Sequence, residues 1–599
     1  MMANRLVRCL AGLYSCQWKR YRGSRMQPGD CCCNKMEGAS FALLLTAFCL
    51  TLVFLYFWSQ AQNDYNDFDW FNFMNLGFWV PWSVVLLVIA ASFFAYMAVL
   101  MLLAVCLLSE GQKLYLHWSH KIGIVVSLVF SVGATAVLSD LWGEEWETLV
   151  LSFQVTAPYL HVGGVLLATA LGWPVALHFF CMNSRVRRVL VVAVYLGGLV
   201  ALYLSPLGMY SPCIMEEGTL GPAPGLIGHR GTPMLAPENT AMSFEKAVEA
   251  GSLGLEADVT ISYDGVPFLM HDPTLLRTTN IQEVFPNRTH APAALFSWAE
   301  LERLNAGAWF LSHNPFGTVA SLGVADRERA RNQSVCSLRT FLELAAAQRD
   351  TLVIFDLYRP PRSHPYRDSW IQRTLEVIRN ESSIRSQQVL WLPPDLRAVV
   401  QEIDPELQQT SSRLPLDELR RNRIVKVNLH YRDMSTELIG EYAAANITTN
   451  LYVINQPWLY SLAWCAGVHS VTTNAPHLLS ALQTPLFLMT PGEYNMMWIL
   501  TDVASFILVL LFFFHWWREQ SLACNKSALE EGTYSKFRTE MSDVWSVSII
   551  PAQREQRNAL TSSLDQPMLG NESTSDPILA LPMLGLDRTQ QPQLSSKQL

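Results

Sequence analysis

Half of the 599 residues are apolar and only 16% are charged, well below the share in a water-soluble enzyme, so an ordinary cytosolic protein is excluded. The net charge is −8 and Lys and Arg form no long tract, which argues against nucleic acid as the main partner. Twelve cysteines in this length are far too few for a disulfide scaffold.

In chain order, residues 1–40 form a basic N-terminal segment. Cys31, Cys32 and Cys33 stand just before the first apolar run, a position suited to S-acylation. Runs long enough to cross ~30 Å of hydrocarbon follow at about 41–58, 80–108, 122–139, 155–180 and 189–209, with a sixth at 496–517. The first five hold no Asp, Glu, Lys or Arg, and Tyr56, Trp58, Trp82, Trp516 and Trp517 mark headgroup depths. The first run is too long for a cleaved signal core and reads as a signal anchor.

Basic residues set the orientation. The N-terminal segment carries seven, the second connection Lys113 and Lys121, and the fourth Arg185, Arg187 and Arg188. The first and third connections carry none and hold acids instead: Asp64, Asp67 and Asp69, then Asp140, Glu144, Glu145 and Glu147. Positive residues stay inside, so both termini are expected in the cytoplasm and residues 210–494 outside it, at the plasma membrane or an endomembrane. Sequons at Asn287, Asn332, Asn380 and Asn446 would then be open to glycosylation, whereas those at Asn525 and Asn571 would not. Cys213, Cys336 and Cys465 are the thiols of the external segment; one disulfide can form, and the pair is left open. Residues 518–599, rich in Ser, Thr, Gln and Pro, read as a disordered cytoplasmic tail that could bind cytosolic partners.

The external segment alternates short β-rich runs with amphipathic stretches, the pattern of βα units closing a parallel barrel. Candidate strands are 226–228, 253–261, 267–270, 351–357, 388–392, 425–429, 450–454 and 468–472, with 407–410 competing for the sixth place. The fold class is a multi-pass α-helical membrane region plus an extracellular α/β TIM barrel.

Polar residues gather at the C-terminal ends of the early strands, where barrel enzymes carry their chemistry. His229, Arg230 and Gly231 follow the first strand and Pro237, Glu238, Asn239 and Thr240 come soon after; Glu256 and Asp258 lie on the second, His271 and Asp272 end the third, and Asp356 is on the fourth. The period of two puts Glu256 and Asp258 on one face, able to hold a hard divalent cation, Ca2+ or Mg2+. Arg230 can clamp a phosphoryl group, and the two imidazoles can work as base and acid. This set suits phosphodiester cleavage.

His-Arg-Gly, Pro-Glu-Asn-Thr, Glu-x-Asp and Phe-Leu-Met-His-Asp, together with five spans before the barrel and one after, resemble the glycerophosphodiester phosphodiesterase family and its six-transmembrane branch. The resemblance implies His229 and His271 as the acid/base pair, Arg230 on the phosphate, and Glu256 and Asp258 as metal ligands. Asp356 takes the place of a third, Glu ligand, and Tyr358 that of a Lys, whose charge Arg359 could replace. Tyr452 stands where the family has Trp, and Asn474 where it often has Asp. Residues at about 275–340 match a family insertion, in which Trp309 and Phe310 either cap the site or pack as a satellite core. Implied substrates are glycerophosphodiesters such as glycerophosphocholine or glycerophosphoinositol, and glycosylphosphatidylinositol anchors whose cleavage frees surface proteins. A catalytically weak receptor or adaptor is the rival reading that Asp356 and Tyr358 permit. A transporter is disfavoured: Asp502 sits near a span end, and His161 and Pro174 read as packing and kink residues.

Overall fold

The computed structural model describes residues 2–16, 34–182 and 184–546. The chain divides into units of residues 1–523 and 524–599. Cys31, Cys32, Cys33 and Asn571 lie outside the described residues.

All six apolar runs are helices long enough to cross a bilayer: Lys35–Gln60, Trp82–Ser109, Trp118–Leu141, Glu145–Cys181, Arg185–Leu204 and Pro491–Ser546. Asn34 caps the first, its side-chain oxygen accepting from the Glu37 N–H at 2.8 Å. Large apolar side chains such as Val129, Leu166 and Val194 point outward from these helices, as a lipid-facing surface requires. The amphipathic helix Met2–Ser15 packs Ala11 and Tyr14 against Leu44, Met97 and Leu100 of the first two spans. Its Tyr14 carbonyl accepts from the His117 N–H in the second connection, so the N-terminal segment and that connection share one end of the bundle.

The last helix differs from expectation. It runs on to Ser546, past residue 518, where a tail without regular structure was expected to begin. No proline follows Pro491 before Pro551, so no proline stops the helix.

The barrel strands are β1 (Gly225–Gly228), β2 (Gly254–Ile261), β4 (Leu352–Leu357), β5 (Val389–Trp391), β6 (Gln408–Ser411), β7 (Ile424–His430), β8 (Thr448–Tyr452) and β9 (Ser470–Thr473). All neighbours are parallel, and β1 pairs with both β2 and β9, which closes the sheet. Inside it Ile227, Ile354 and Leu390 pack together, while two larger apolar clusters lie between strands and helices.

Two strand expectations change. β3 (Pro267–Leu269) is not a barrel strand: it pairs antiparallel with β2 as a hairpin arm. Only five residues separate 261 from 267, too few for the crossover a parallel neighbour needs, and Gly265 at φ 89° makes the turn. The competing runs near 407–410 and 425–429 are both strands, β6 and β7, and restore the count of eight.

The barrel is bonded to the helical region through the first and third connections. Asn63 donates from Nδ2 to the Val453 carbonyl (2.9 Å), and Asn455 donates back to Asn63 Oδ1 (2.8 Å) and its carbonyl (3.0 Å). Arg432, just past β7, reaches Asp64 at 3.2 Å and Glu145 at 2.7 Å, and Tyr431 bonds Asp64 and Thr148. A disulfide joins Cys213, ahead of the barrel, to Cys465 in the last long barrel helix, Pro457–Cys465. Cys336 is left as a buried thiol. Within the bundle, Asp502 of the sixth span lies 3.5 Å from His161 of the fourth.

Candidate active site

The turn after β1 sets the first catalytic candidates. Arg230 and Gly231 both take positive φ, 53° and 89°. A Cβ on Gly231 would come within 2.4 Å of Ser243 Oγ, so only glycine lets this turn sit on the helix Ala241–Glu249. The Arg230 N–H then donates to Glu256 at 2.9 Å, and its carbonyl accepts from Ser243 Oγ at 2.9 Å. His229 Nδ1 lies 2.7 Å from Asn474 Oδ1, an acceptor, so the ring donates from Nδ1 and presents the Nε2 lone pair to the cavity. Burial, reinforced by the charge of Arg230, pushes the His229 pKa down to about 3, and the ring is neutral at physiological pH.

Three carboxylates follow on adjacent strands. Glu256 and Asp258 point from the same face of β2, and Asp258 is the direct neighbour of Asp356 on β4. Burial and the charge of Asp258 raise Glu256 well above the usual carboxylate range. Asp356 is raised by the same two causes. Burial would raise Asp258 as well, but Arg230, whose Nε lies 3.0 Å away, outweighs it and keeps this acid ionised. The Tyr358 hydroxyl is 3.1 Å from Asp258 and 3.0 Å from Asp356. Among the described residues no three His, Cys, Asp or Glu side chains converge closely enough to ligate one ion. The donor chemistry nevertheless suits a hard divalent cation: three oxygen-bearing acids on neighbouring strands, two of them raised by burial and by the charge of Asp258.

The β3 arm returns His271 to the same mouth. Met270 donates its N–H to the Asp258 carbonyl at 2.9 Å, which fixes the arm on β2. His271 Nδ1 bonds Asp272 at 2.8 Å, and its side chain is 38% exposed, open enough to meet a substrate. Behind this pair lies a buried network absent from the sequence reading. Arg277 binds Glu238 through two nitrogens (2.7 and 2.6 Å) and Asp272 at 2.7 and 2.9 Å. Burial would raise Glu238, but Arg277 and Arg230 overcome it and hold the pKa at about 2. The sequence singled out Glu238 only as part of a motif; Arg277, six residues beyond His271, carried no signal of its own.

These groups open into one cavity of about 770 Å3, lined by His229, Arg230, Glu256, Asp258, His271 and Asp356. Tyr452 lines it as well, together with Tyr358, Asn428 and His430. Arg359 does not line it: its guanidinium turns away and pairs with Asp368 at 3.1 Å, leaving the place of the missing Lys charge unfilled by this residue. Trp309 and Phe310 are buried with Ala236, Met242 and Trp70. They form a packed satellite core behind the mouth, since Trp70 stands in front of Trp309 with ring centres 5.6 Å apart. Asn287, Asn332, Asn380 and Asn446 are all exposed.

Residues 229–478 match the glycerophosphoryl diester phosphodiesterase family. The chain is 47% identical to glycerophosphodiester phosphodiesterase domain-containing protein 5 of Gallus gallus over 503 residues, 84% of this chain and 83% of that protein. Against the Homo sapiens protein of that name it is 47% identical, over 85% and 83% of the two chains. It is 44% identical to glycerophosphoinositol inositolphosphodiesterase GDPD2 of Mus musculus, over 85% and 93%.

Proposed function

Because this chain belongs to the glycerophosphoryl diester phosphodiesterase family, we propose that it hydrolyses glycerophosphodiesters in the cavity at the barrel mouth. The observation that carries this reading is the convergence of His229, Arg230, Glu256, Asp258, His271 and Asp356 on one space. Glycerophosphocholine and glycerophosphoinositol are the substrates proposed.

In this reading His229, neutral and held by Asn474, takes the proton of the attacking hydroxyl at Nε2 as the new P–O bond forms. His271, oriented by Asp272 at Nδ1, gives a proton from Nε2 to the departing alcohol oxygen as the old P–O bond breaks. Arg230 is fixed by Glu238 (3.2 Å) and Asp258 and offers its remaining donors to the phosphoryl oxygens. Glu256, Asp258 and Asp356 would hold a divalent cation, Ca2+ or Mg2+, which when bound neutralises phosphoryl charge. Tyr452 contacts the substrate on the opposite wall.

The barrel is proposed to lie on the exoplasmic side, with both termini in the cytoplasm. Support comes from the Cys213–Cys465 bond, a feature of oxidising compartments, and from the four exposed sequons. The acidic first and third connections bind the barrel, whereas the basic N-terminal segment and the second connection meet at the other end of the bundle. A mouth closed by the membrane half suits substrates carried on that membrane, and release of glycosylphosphatidylinositol-anchored proteins is the proposed physiology. The Tyr358 hydroxyl on Asp258 and Asp356 favours the receptor or adaptor reading, in which those acids no longer serve a metal.

Cells expressing the full chain, assayed together for freed anchored proteins and for soluble glycerophosphodiester products, test the proposal. Both outputs should rise and fall away with His271→Ala at equal surface expression. Outputs that persist in that variant contradict the enzymatic reading, and no output above background from the parent favours the receptor.

A further inference from the structure

The helix Tyr65–Leu76 belongs to the connection between the first two spans, yet Asp67, Trp70, Phe71 and Met74 line the catalytic cavity. Their spacing of three, one and three places them on one helical face. The helix is held there independently of any substrate. Asp64, one turn earlier, is buried against Arg432 and Tyr431. The Trp70 ring lies 4.8 Å from the Arg277 guanidinium, which itself grips Asp272 beside His271. The membrane half is thus indexed to the catalytic machinery by a cation–π contact and an ion pair.

Asp67 is the unexplained member of this wall. Its side chain is exposed and lines the cavity. The surrounding protein and the charge of Asp64 raise its pKa against the pull of Arg230, His271 and Arg277, and among the described residues its carboxylate has no hydrogen-bond partner. A free carboxylate in a mouth built for a phosphate repels the phosphate, so it must serve a different part of the ligand. The cavity of about 770 Å3 has room for one. Trp70, Phe71, His430 and Tyr452 also line that space.

We propose that Asp67 is a substrate-positioning residue that accepts hydrogen bonds from the alcohol esterified opposite the glycerol, whose donors are polyol hydroxyls or an ammonium group. This rests on the phosphodiesterase reading above. The active site would then be complete only when the membrane half is folded against the barrel.

The test compares the purified full chain in detergent with Asp67→Asn on three diesters: glycerophosphoinositol, glycerophosphoethanolamine and the ethyl ester of glycerol phosphate. Losing a charge-assisted acceptor should raise KM about tenfold for the substrates with donors on the alcohol, with kcat within about threefold. The ethyl ester should be unaffected. A loss on inositol alone assigns Asp67 to hydroxyls, and a loss on ethanolamine alone assigns it to an ammonium. Equal losses on all three diesters, a changed divalent-ion requirement, or no change on any overturn the proposal. If the parent turns over none of them, the phosphodiesterase reading fails by itself. Binding of the intact diesters then decides, and an unchanged Kd in Asp67→Asn overturns the inference.

Discussion

The Arg432 guanidinium lies 3.2 Å from the Asp64 carboxylate, an ion pair joining the end of a barrel strand to the connection between two spans. Glu145 and Tyr431 share the site, and burial raises the Tyr431 hydroxyl far above its ordinary range, so it stays a neutral donor. Arg432→Met leaves two buried acids without their cation and should destabilise the full chain by about 3–5 kcal/mol. Asp64→Asn combined with Glu145→Gln should restore part of that loss. Thermal unfolding in detergent measures both; an unchanged midpoint in the single variant contradicts the docking role.

Asn474 fixes His229 with a neutral oxygen. Asn474→Asp places a negative charge on the same nitrogen and favours the imidazolium, so the His229 pKa should climb from about 3 toward the ordinary histidine range. A base protonated at higher pH loses activity sooner on acidification. The acid limb of the kcat/KM profile should therefore move to higher pH in the variant, and an unmoved limb contradicts His229 as the base.

Lys426 is buried inside the barrel, bonded to Ser470 Oγ at 2.9 Å and His469 at 3.2 Å. Burial brings its pKa down to about 8 from the model-peptide value of 10.5. The unfolded chain binds the proton more tightly, so this residue opposes folding most below pH 8, and stability should rise between about pH 8 and 10.5, where the folded state has released the proton and the unfolded state still holds it. Lys426→Met should abolish that increment. Unfolding midpoints of parent and variant across the window, compared by difference, check the sign.

The long apolar helices were legible because twenty-residue apolar runs have few alternatives, and the candidate site because His229, Glu256, Asp258 and His271 fall on or just after successive strands. The β3 arm was misread because 267–270 has the composition of a buried strand. The cue was Asp264–Gly265, a hairpin dipeptide that makes five connecting residues sufficient. The sixth and seventh strands competed only because β3 had taken a place in the count of eight.

Asp67 and Arg277 were out of reach for a different reason. Asp67 stands more than 160 residues before His229 in sequence, and its connection read only as acidic and therefore external. Its cue was the row Asp67, Trp70, Phe71 and Met74 on one helical face, which local pattern cannot direct toward a distant barrel. Arg359 failed in the opposite way: adjacency to Tyr358 suggested a replacement charge, but the chain leaves the mouth after β4 and carries the side chain outward to Asp368.

The most direct measurement follows the phosphorus signal of glycerophosphoinositol by NMR with purified full chain, in the presence and absence of a divalent cation. The parent should convert diester to monoester, and His229→Ala and Glu256→Gln should each slow that conversion by about a hundredfold or more while keeping the parental unfolding midpoint. Conversion at the parental rate by either variant would contradict the account, as would a parent that leaves the diester intact.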